Sequence, residues 1–182
     1  VWVGRFDEFQ KRVSDLVGIL TQLDALTMDY CMTLVGDGPE RASMSASLAA
    51  WTKSGRVVFA GALRSTDLGP SVYANADVLL LTSSWETGPI VIWEAMAAGV
   101  PAVASRVAGT VELIEAGVTG LLVEPAEPRQ LADAIAGLLD DPDRRRAMGK
   151  AATLRYEAAY TPAQAVAGYR ELTDRLLTEV TA

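Results

Sequence analysis

Two carboxylates stand eight positions apart in the stretch from Ser84 to Pro101. They are Glu86 and Glu94, on either side of Gly88-Pro89. An apolar run, Val78 to Leu81, precedes the stretch, and another, Val100 to Ala104, follows it. The order reads strand, loop, helix, strand, with Glu86 in the loop and Glu94 a turn or so inside the helix. Proline at a first helical turn loses no needed hydrogen bond, so the free N–H groups of Ile90 and Val91 can point at an anion. A carboxylate on each side can accept hydrogen bonds from hydroxyl groups. Two cations belong in the same picture. Arg5 leaves the end of the strand-like Val1-Trp2-Val3, and Lys11 is expected near the start of the next helix. A guanidinium fork and an ammonium could clamp a diphosphate. The ligand that satisfies all four groups is an anion flanked by hydroxyls, as a sugar nucleotide is.

Each of these residues also has a plainer reading. Arg5 and Lys11 could be surface charges at element ends, and Gly88-Pro89-Ile90 a simple loop-to-helix junction. Glu86 could be an acid favouring the helix dipole. Glu94 lies on a helix that otherwise reads as buried, from Ile90 to Ala98, so its charge needs a partner, either a pair of vicinal hydroxyls or an Arg or Lys. Placement on one rim of a sheet would favour the binding reading.

The elements that must position these groups alternate. Strands are expected at Val1–Gly4, Cys31–Val35, Val57–Phe59, Val78–Leu81, Pro101–Ala104 and Gly120–Val123. Helical spacing recurs from Val13 to Leu23. Further helices are expected from Pro39 to about Trp51, from Gly69-Pro70 through Val72 and Tyr73, over Ile90–Ala98 and over Val111–Ala116. The tail reads as helices over Pro128–Leu139, Pro142–Tyr156 and Pro162–Val180. Short apolar strands separated by helices imply an α/β fold, a doubly wound, Rossmann-like parallel six-stranded sheet with C-terminal helices. Ligands of such sheets sit beyond the carboxyl ends of the strands.

Composition removes several chemistries. The 182 residues contain no histidine and one cysteine, which excludes Ser-His and Cys-His catalysis, the usual zinc sites and an intrachain disulfide. Cys31 is expected as a small core residue. A net charge of −7 argues against a nucleic-acid partner. No apolar run approaches a membrane span and no signal segment is visible. Gly36-Asp37-Gly38 begins like a dinucleotide fingerprint, but Arg41 stands in place of the third glycine and no acid closes the strand ending at Phe59. Asp141-Pro142-Asp143 is read as a helix cap rather than a metal motif, and Arg144 to Arg146 as a solvated face.

With these blocks in order, the chain resembles the C-terminal, donor-binding domain of GT-B retaining glycosyltransferases of family GT4. The resemblance runs from Val3-Gly4-Arg5 through Gly36-Asp37-Gly38-Pro39, Val57 to Gly61 and Ala76-Asp77-Val78. It continues through Glu86 and Glu94 to Pro101, then Glu112-Leu113-Ile114 and Gly117 to Val123. It implies that Arg5 and Lys11 bind the donor diphosphate, that Glu94 holds the ribose, and that Glu86 contacts the sugar near the reacting carbon. Backbone groups of Gly88, Pro89, Ile90 and Val91 would touch sugar and phosphates, and Leu63 would lie beside the base. Arg5, Lys11 and Glu86 are thus the catalytic candidates. The implied substrate is a nucleoside diphosphate sugar, with no cofactor and no bound metal. The sequence departs from the pattern at Gly88-Pro89, where many members carry an aromatic residue followed by Gly or Pro.

On the same footing, residues 1–182 are read as one nucleotide-sugar-binding domain of a two-domain enzyme whose acceptor-binding N-terminal domain lies outside this sequence. The expected location is cytoplasmic, or peripheral at the inner face of the membrane for the full-length form. The alternatives are a sugar-nucleotide epimerase of GT-B architecture and a non-catalytic nucleotide-binding domain.

Overall fold

A computed structural model describes residues 1–181. The six expected strands form as β1 (Trp2–Val3), β2 (Met32–Val35), β3 (Val57–Gly61), β4 (Leu79–Leu81), β5 (Ala102–Ser105) and β6 (Gly120–Val123). They join one parallel sheet in the order β3-β2-β1-β4-β5-β6. Trp2 pairs with Leu34 on one side and Leu80 on the other, so β1 and β4 meet where the winding reverses. In an open α/β sheet that reversal leaves a crevice beyond the strands' carboxyl ends.

The helices are α1 (Glu8–Lys11), α2 (Asp15–Ala25), α3 (Arg41–Ser47), α4 (Ala49–Lys53), α5 (Ser65–Ser71), α6 (Ile90–Ala97), α7 (Ala108–Leu113), α8 (Pro128–Asp140), α9 (Pro142–Ala159) and α10 (Pro162–Thr181). A 3-10 turn covers Tyr73–Asn75. Alternate strand residues face opposite sides of the sheet, so the buried strands feed two cores. Trp2, Leu34, Leu80 and Val103 pack with Leu16, Ile19 and Leu23 of α2 and Leu131, Ile135 and Leu138 of α8. Val35, Leu79, Leu81, Ala102 and Ala104 pack with Leu68 of α5, Ile92, Ala95 and Met96 of α6, and Ala152 of α9.

Several expected boundaries shift, each for a local reason. Lys11 does not start the long helix. It ends α1, whose first turn is capped by Asp7 accepting from the Gln10 amide at 2.9 Å, and Arg12 then turns through φ +46°. The single helix expected from Pro39 to Trp51 is two, broken at buried Leu48. Gly69-Pro70 closes a helix instead of opening one. α5 begins at Ser65, and Pro70, which lacks an amide donor, stands one residue from its end. α7 starts three residues early because the Thr110 hydroxyl accepts from the Val107 amide and donates to Ser105 O, at 3.0 and 2.6 Å.

Cys31 is exposed rather than buried, because β2 begins after it and leaves it at the sheet's amino end. Asp141 does cap α9, accepting from the Arg144 amide at 2.9 Å.

The Gly36-Asp37-Gly38 loop is a close-approach device. A Cβ on Gly36, whose φ is +131°, would lie 1.8 Å from Gly4 O, and one on Gly38 2.5 Å from Phe6 O. Backbone bonds from Phe6 N to Asp37 O and from Glu40 N to Phe6 O, both 3.0 Å, fix the β1 loop against the β2 loop. Arg41, in the place of the missing third glycine, lays its guanidinium 3.7 Å from the centroid of the Phe59 ring.

Candidate functional site

The β1 and β4 loops converge at the reversal point. Trp2 Nε1 donates to Thr82 Oγ1 at 3.2 Å, and that hydroxyl donates to Lys11 O at 2.5 Å. The Ser84 amide donates to Gln10 O at 2.7 Å. These bonds bring the end of α1 against the loop that carries Glu86, and the side chains follow. Lys11 Nζ lies 2.5 Å from Glu86 Oε1, which also accepts from Ser83 Oγ at 2.6 Å. Glu86 is 7% exposed and Ser83 fully enclosed, so the carboxylate is held by one cation and one hydroxyl on a single oxygen. Among the described residues no hydrogen bond reaches its Oε2.

The loop is seated from beneath by α7. The Gly109 amide donates to Glu86 O at 3.1 Å, and a Cβ on Gly109 would lie 2.7 Å from that oxygen.

Arg5 is on the same rim. It follows Gly4, and the ideal Cβ position of Gly4 is 3.6 Å from Lys11 Cε. Its side chain is exposed and makes no ion pair with any described residue. Pro89 is the cap residue of α6 rather than its first helical residue, with φ −70° and ψ 103°, and no side chain caps the helix. The first amides, at Ile90 and Val91, therefore lack a side-chain capping partner, and the helix end carries partial positive charge four residues after Glu86. Gly88 is half-buried. The Trp93 ring tip lies 3.9 Å from the ideal position of a Cβ on it.

Glu94 departs from expectation in its surroundings. α6 is only half buried, with Ile90 60% exposed, and Glu94 lies at the edge of its buried face. Its partners are neither Arg nor Lys. Ser65 Oγ donates to Oε1 at 2.7 Å and Tyr73 Oη to Oε2 at 3.1 Å. Burial, followed by the Glu94 charge and the hydrogen bond to it, raises the Tyr73 phenol well above its ordinary range. The carboxylate accepts from two protein hydroxyls, the kind of donor that the family resemblance expects from a ligand's ribose. Leu63 lies two residues before Ser65 and is exposed, so the β3–α5 loop borders the same carboxylate.

All the candidates therefore lie past the carboxyl ends of the strands. Sequence reasoning missed Ser83, Gly109, Ser65 and Tyr73. Only Ser83, three residues before Glu86, carried a signal near enough in sequence to find. A cavity of about 470 Å³ lies at the opposite end of the sheet, among Tyr30, Met32, Asn75 and Val78, and none of the candidates lines it.

A family description, "Glycosyl transferases group 1", matches residues 1–155. The chain is 34% identical over 176 residues to alpha-D-kanosaminyltransferase of Streptomyces kanamyceticus, covering 94% of this chain and 45% of that protein. It is 36% identical over 142 residues to N-acetyl-alpha-D-glucosaminyl L-malate synthase of Bacillus anthracis, covering 78% and 36%. Sucrose-phosphate synthase from Thermosynechococcus elongatus superposes with a TM-score of 0.83 at 29% identity, over 98% of this chain and 46% of that one. HepE from Anabaena, solved in complex with UDP and glucose, superposes at 0.76 with 26% identity, over 97% and 48%. The chain thus spans less than half the length of these relatives. None of these likenesses favours the epimerase alternative. The chain belongs to the glycosyl transferases group 1 family.

Proposed function

We propose that this chain is the donor-binding domain of a retaining, metal-independent glycosyltransferase that moves a hexose-like unit from a nucleoside diphosphate to an acceptor held by a second domain. The observation that carries the reading is the Lys11–Glu86 pair set beside the uncapped start of α6. An ammonium has three donors, so Lys11 can hold Glu86 and still reach a phosphate oxygen. As the bond to the sugar breaks, the diphosphate gains negative charge. Arg5, Lys11 and the amides of Ile90 and Val91 stabilise it without reorganising. Glu86 offers its unbonded oxygen to a sugar hydroxyl near the reacting carbon, where positive charge develops. Glu94 takes the ribose, Gly88 and Pro89 line the sugar and phosphates through their backbone, and the Leu63 backbone borders the base.

The relatives' greater length supports a second domain that supplies the acceptor and closes the cleft. The enzyme's proposed place is the cytoplasm or the inner membrane face. Among the described residues no helix is long and apolar enough to cross a membrane.

Removing one desolvated charge partner costs about 2–5 kcal/mol. Arg5→Ala or Lys11→Ala in the full-length enzyme should therefore lower turnover at least tenfold, read by release of the nucleoside diphosphate. Unchanged turnover in both variants would refute the clamp.

A further inference from the structure

Glu94 is held from two sides, and the two sides differ. Tyr73 is 1% exposed and belongs to the core beneath α6, so its hydroxyl is a fixed partner of Oε2. Ser65 is exposed, opens the short helix α5, and reaches Oε1 across the mouth of the site. It caps no backbone amide. Its one hydrogen bond among the described residues is the one to Glu94, at 2.7 Å. α5 is tied down behind it by buried Leu68, while the Arg64–Asp67 pair at its start is a solvent-facing contact. Gly61, at φ +73° with open space around it, starts the loop that delivers Ser65.

We infer that the Ser65 hydroxyl is a placeholder for one hydroxyl of the donor's pentose. Resting on the donor-site reading above, this goes further: it names the protein group that the ribose displaces. A serine hydroxyl and a sugar hydroxyl are the same kind of donor, and a carboxylate oxygen favours either alike. In the free protein Ser65 neutralises the exposed oxygen's need for a partner and keeps Glu94 in the rotamer that Tyr73 sets. When the nucleoside enters, a pentose hydroxyl takes Oε1 and Ser65 turns to water. The buried Tyr73 contact stays. The exchange lowers apparent affinity, because only the fraction of molecules with Ser65 turned away is competent to bind. Ser65 is thus a positioning residue that tunes donor affinity.

The test is calorimetric titration of the 182-residue chain and its Ser65→Ala variant with UDP, ADP and GDP and with their 2′-deoxy and 3′-deoxy forms. Removing a competing hydrogen bond of ordinary net strength should tighten ribonucleotide binding about two- to tenfold. The gain should vanish with whichever deoxy form lacks the displacing hydroxyl, because Ser65 then has no rival even in the wild type. A general loosening of α5 cannot produce that selectivity. Ser65→Ala binding that is unchanged, weaker, or tighter by one factor for every nucleotide overturns the placeholder while leaving the donor site standing. Failure of the wild-type chain to bind any of the ribonucleotides overturns the donor-site reading, and the placeholder falls with it.

Discussion

The Lys11–Glu86 pair serves the fold and the proposed chemistry through one contact. A carboxylate as enclosed as Glu86 needs a counter-charge, and Lys11 is the only cation paired with it among the described residues. Removing the lysine leaves a buried charge supported by Ser83 alone, and breaking a buried pair costs more than the pair itself contributes. Lys11→Ala should destabilise the chain by about 2–4 kcal/mol, visible as a lower urea midpoint at unchanged slope. The double variant Lys11→Met, Glu86→Gln should recover at least half of that loss, since no uncompensated charge remains. If the single variant is as stable as the wild type, Glu86 is solvated better than its burial implies. The two consequences of Lys11→Ala separate cleanly: the double variant restores stability but not turnover.

Between elements, glycine decides how closely the loops approach, and the glycines should not be interchangeable. Gly36 combines positive φ with a backbone oxygen 1.8 Å from its would-be Cβ, so Gly36→Ala must push the β1 and β2 loops apart. The Gly109 position meets the Glu86 backbone at 2.7 Å, so Gly109→Ala should cost about 1–3 kcal/mol and displace the carboxylate. Gly137 is exposed inside α8 with open space around it, and Gly137→Ala should stabilise by about 0.5–1 kcal/mol. Thermal unfolding of the three variants should rank them Gly36, Gly109, Gly137 from least to most stable. Any other order would mean that the contacts of these loops yield easily.

A second inter-element device is Asp24 of α2, which accepts from Tyr30 and from Trp51 of α4, each at 2.8 Å, and from Arg56 ahead of β3. Burial pushes its pKa upward, but the three donors and the Arg56 charge outweigh that and leave it lowered from 3.8. A lowered folded pKa gives stability that is complete above the unfolded value and lost as pH falls through the folded one. Asp24→Asn should therefore lose stability at neutral pH, and lose less of what remains on acidification below about pH 4. Parallel unfolding curves at pH 7 and pH 3 read this directly. An equal acid loss in both proteins would contradict it.

At the scale of the whole molecule, the six strands were legible because each is a short apolar run between helical stretches, with the inner strands β2, β4 and β5 largely buried and the edge strand β3 alternating buried and exposed. The candidates Glu86, Glu94, Arg5 and Lys11 could be picked out one by one, but their contacts could not. Lys11 and Glu86 are 75 positions apart, and only the strand order sets their loops together. Ser65 and Tyr73 were out of reach because Gly69-Pro70 reads as a start when it is an end, which hid α5. Cys31 misled because an apolar neighbourhood in sequence does not say which end of a strand faces water.

The same whole-molecule view decides what the chain can do by itself. Apart from the exposed residues of the edge strand β3, the sheet packs against the chain's own helices on both faces in two cores. The rim beyond the strands is different. Arg5 is exposed, the first amides of α6 have no side-chain cap, and Phe9 of α1 and Ile90 of α6 are 81% and 60% exposed. A transition state stabilised by Arg5, Lys11 and those amides gains most when water is excluded, because charge interactions strengthen in a dry site. Among the described residues Arg5 and Ile90 stay exposed on that rim, and the relatives are more than twice as long as the stretch they share with this chain. The isolated chain should therefore bind nucleoside diphosphates weakly, in the high-micromolar to millimolar range of about −4 to −5.5 kcal/mol, and transfer no sugar. Calorimetry measures the first property, and coupled detection of released diphosphate with UDP, ADP and GDP sugars measures the second. Turnover by the chain alone would mean that the acceptor site, too, lies on this domain.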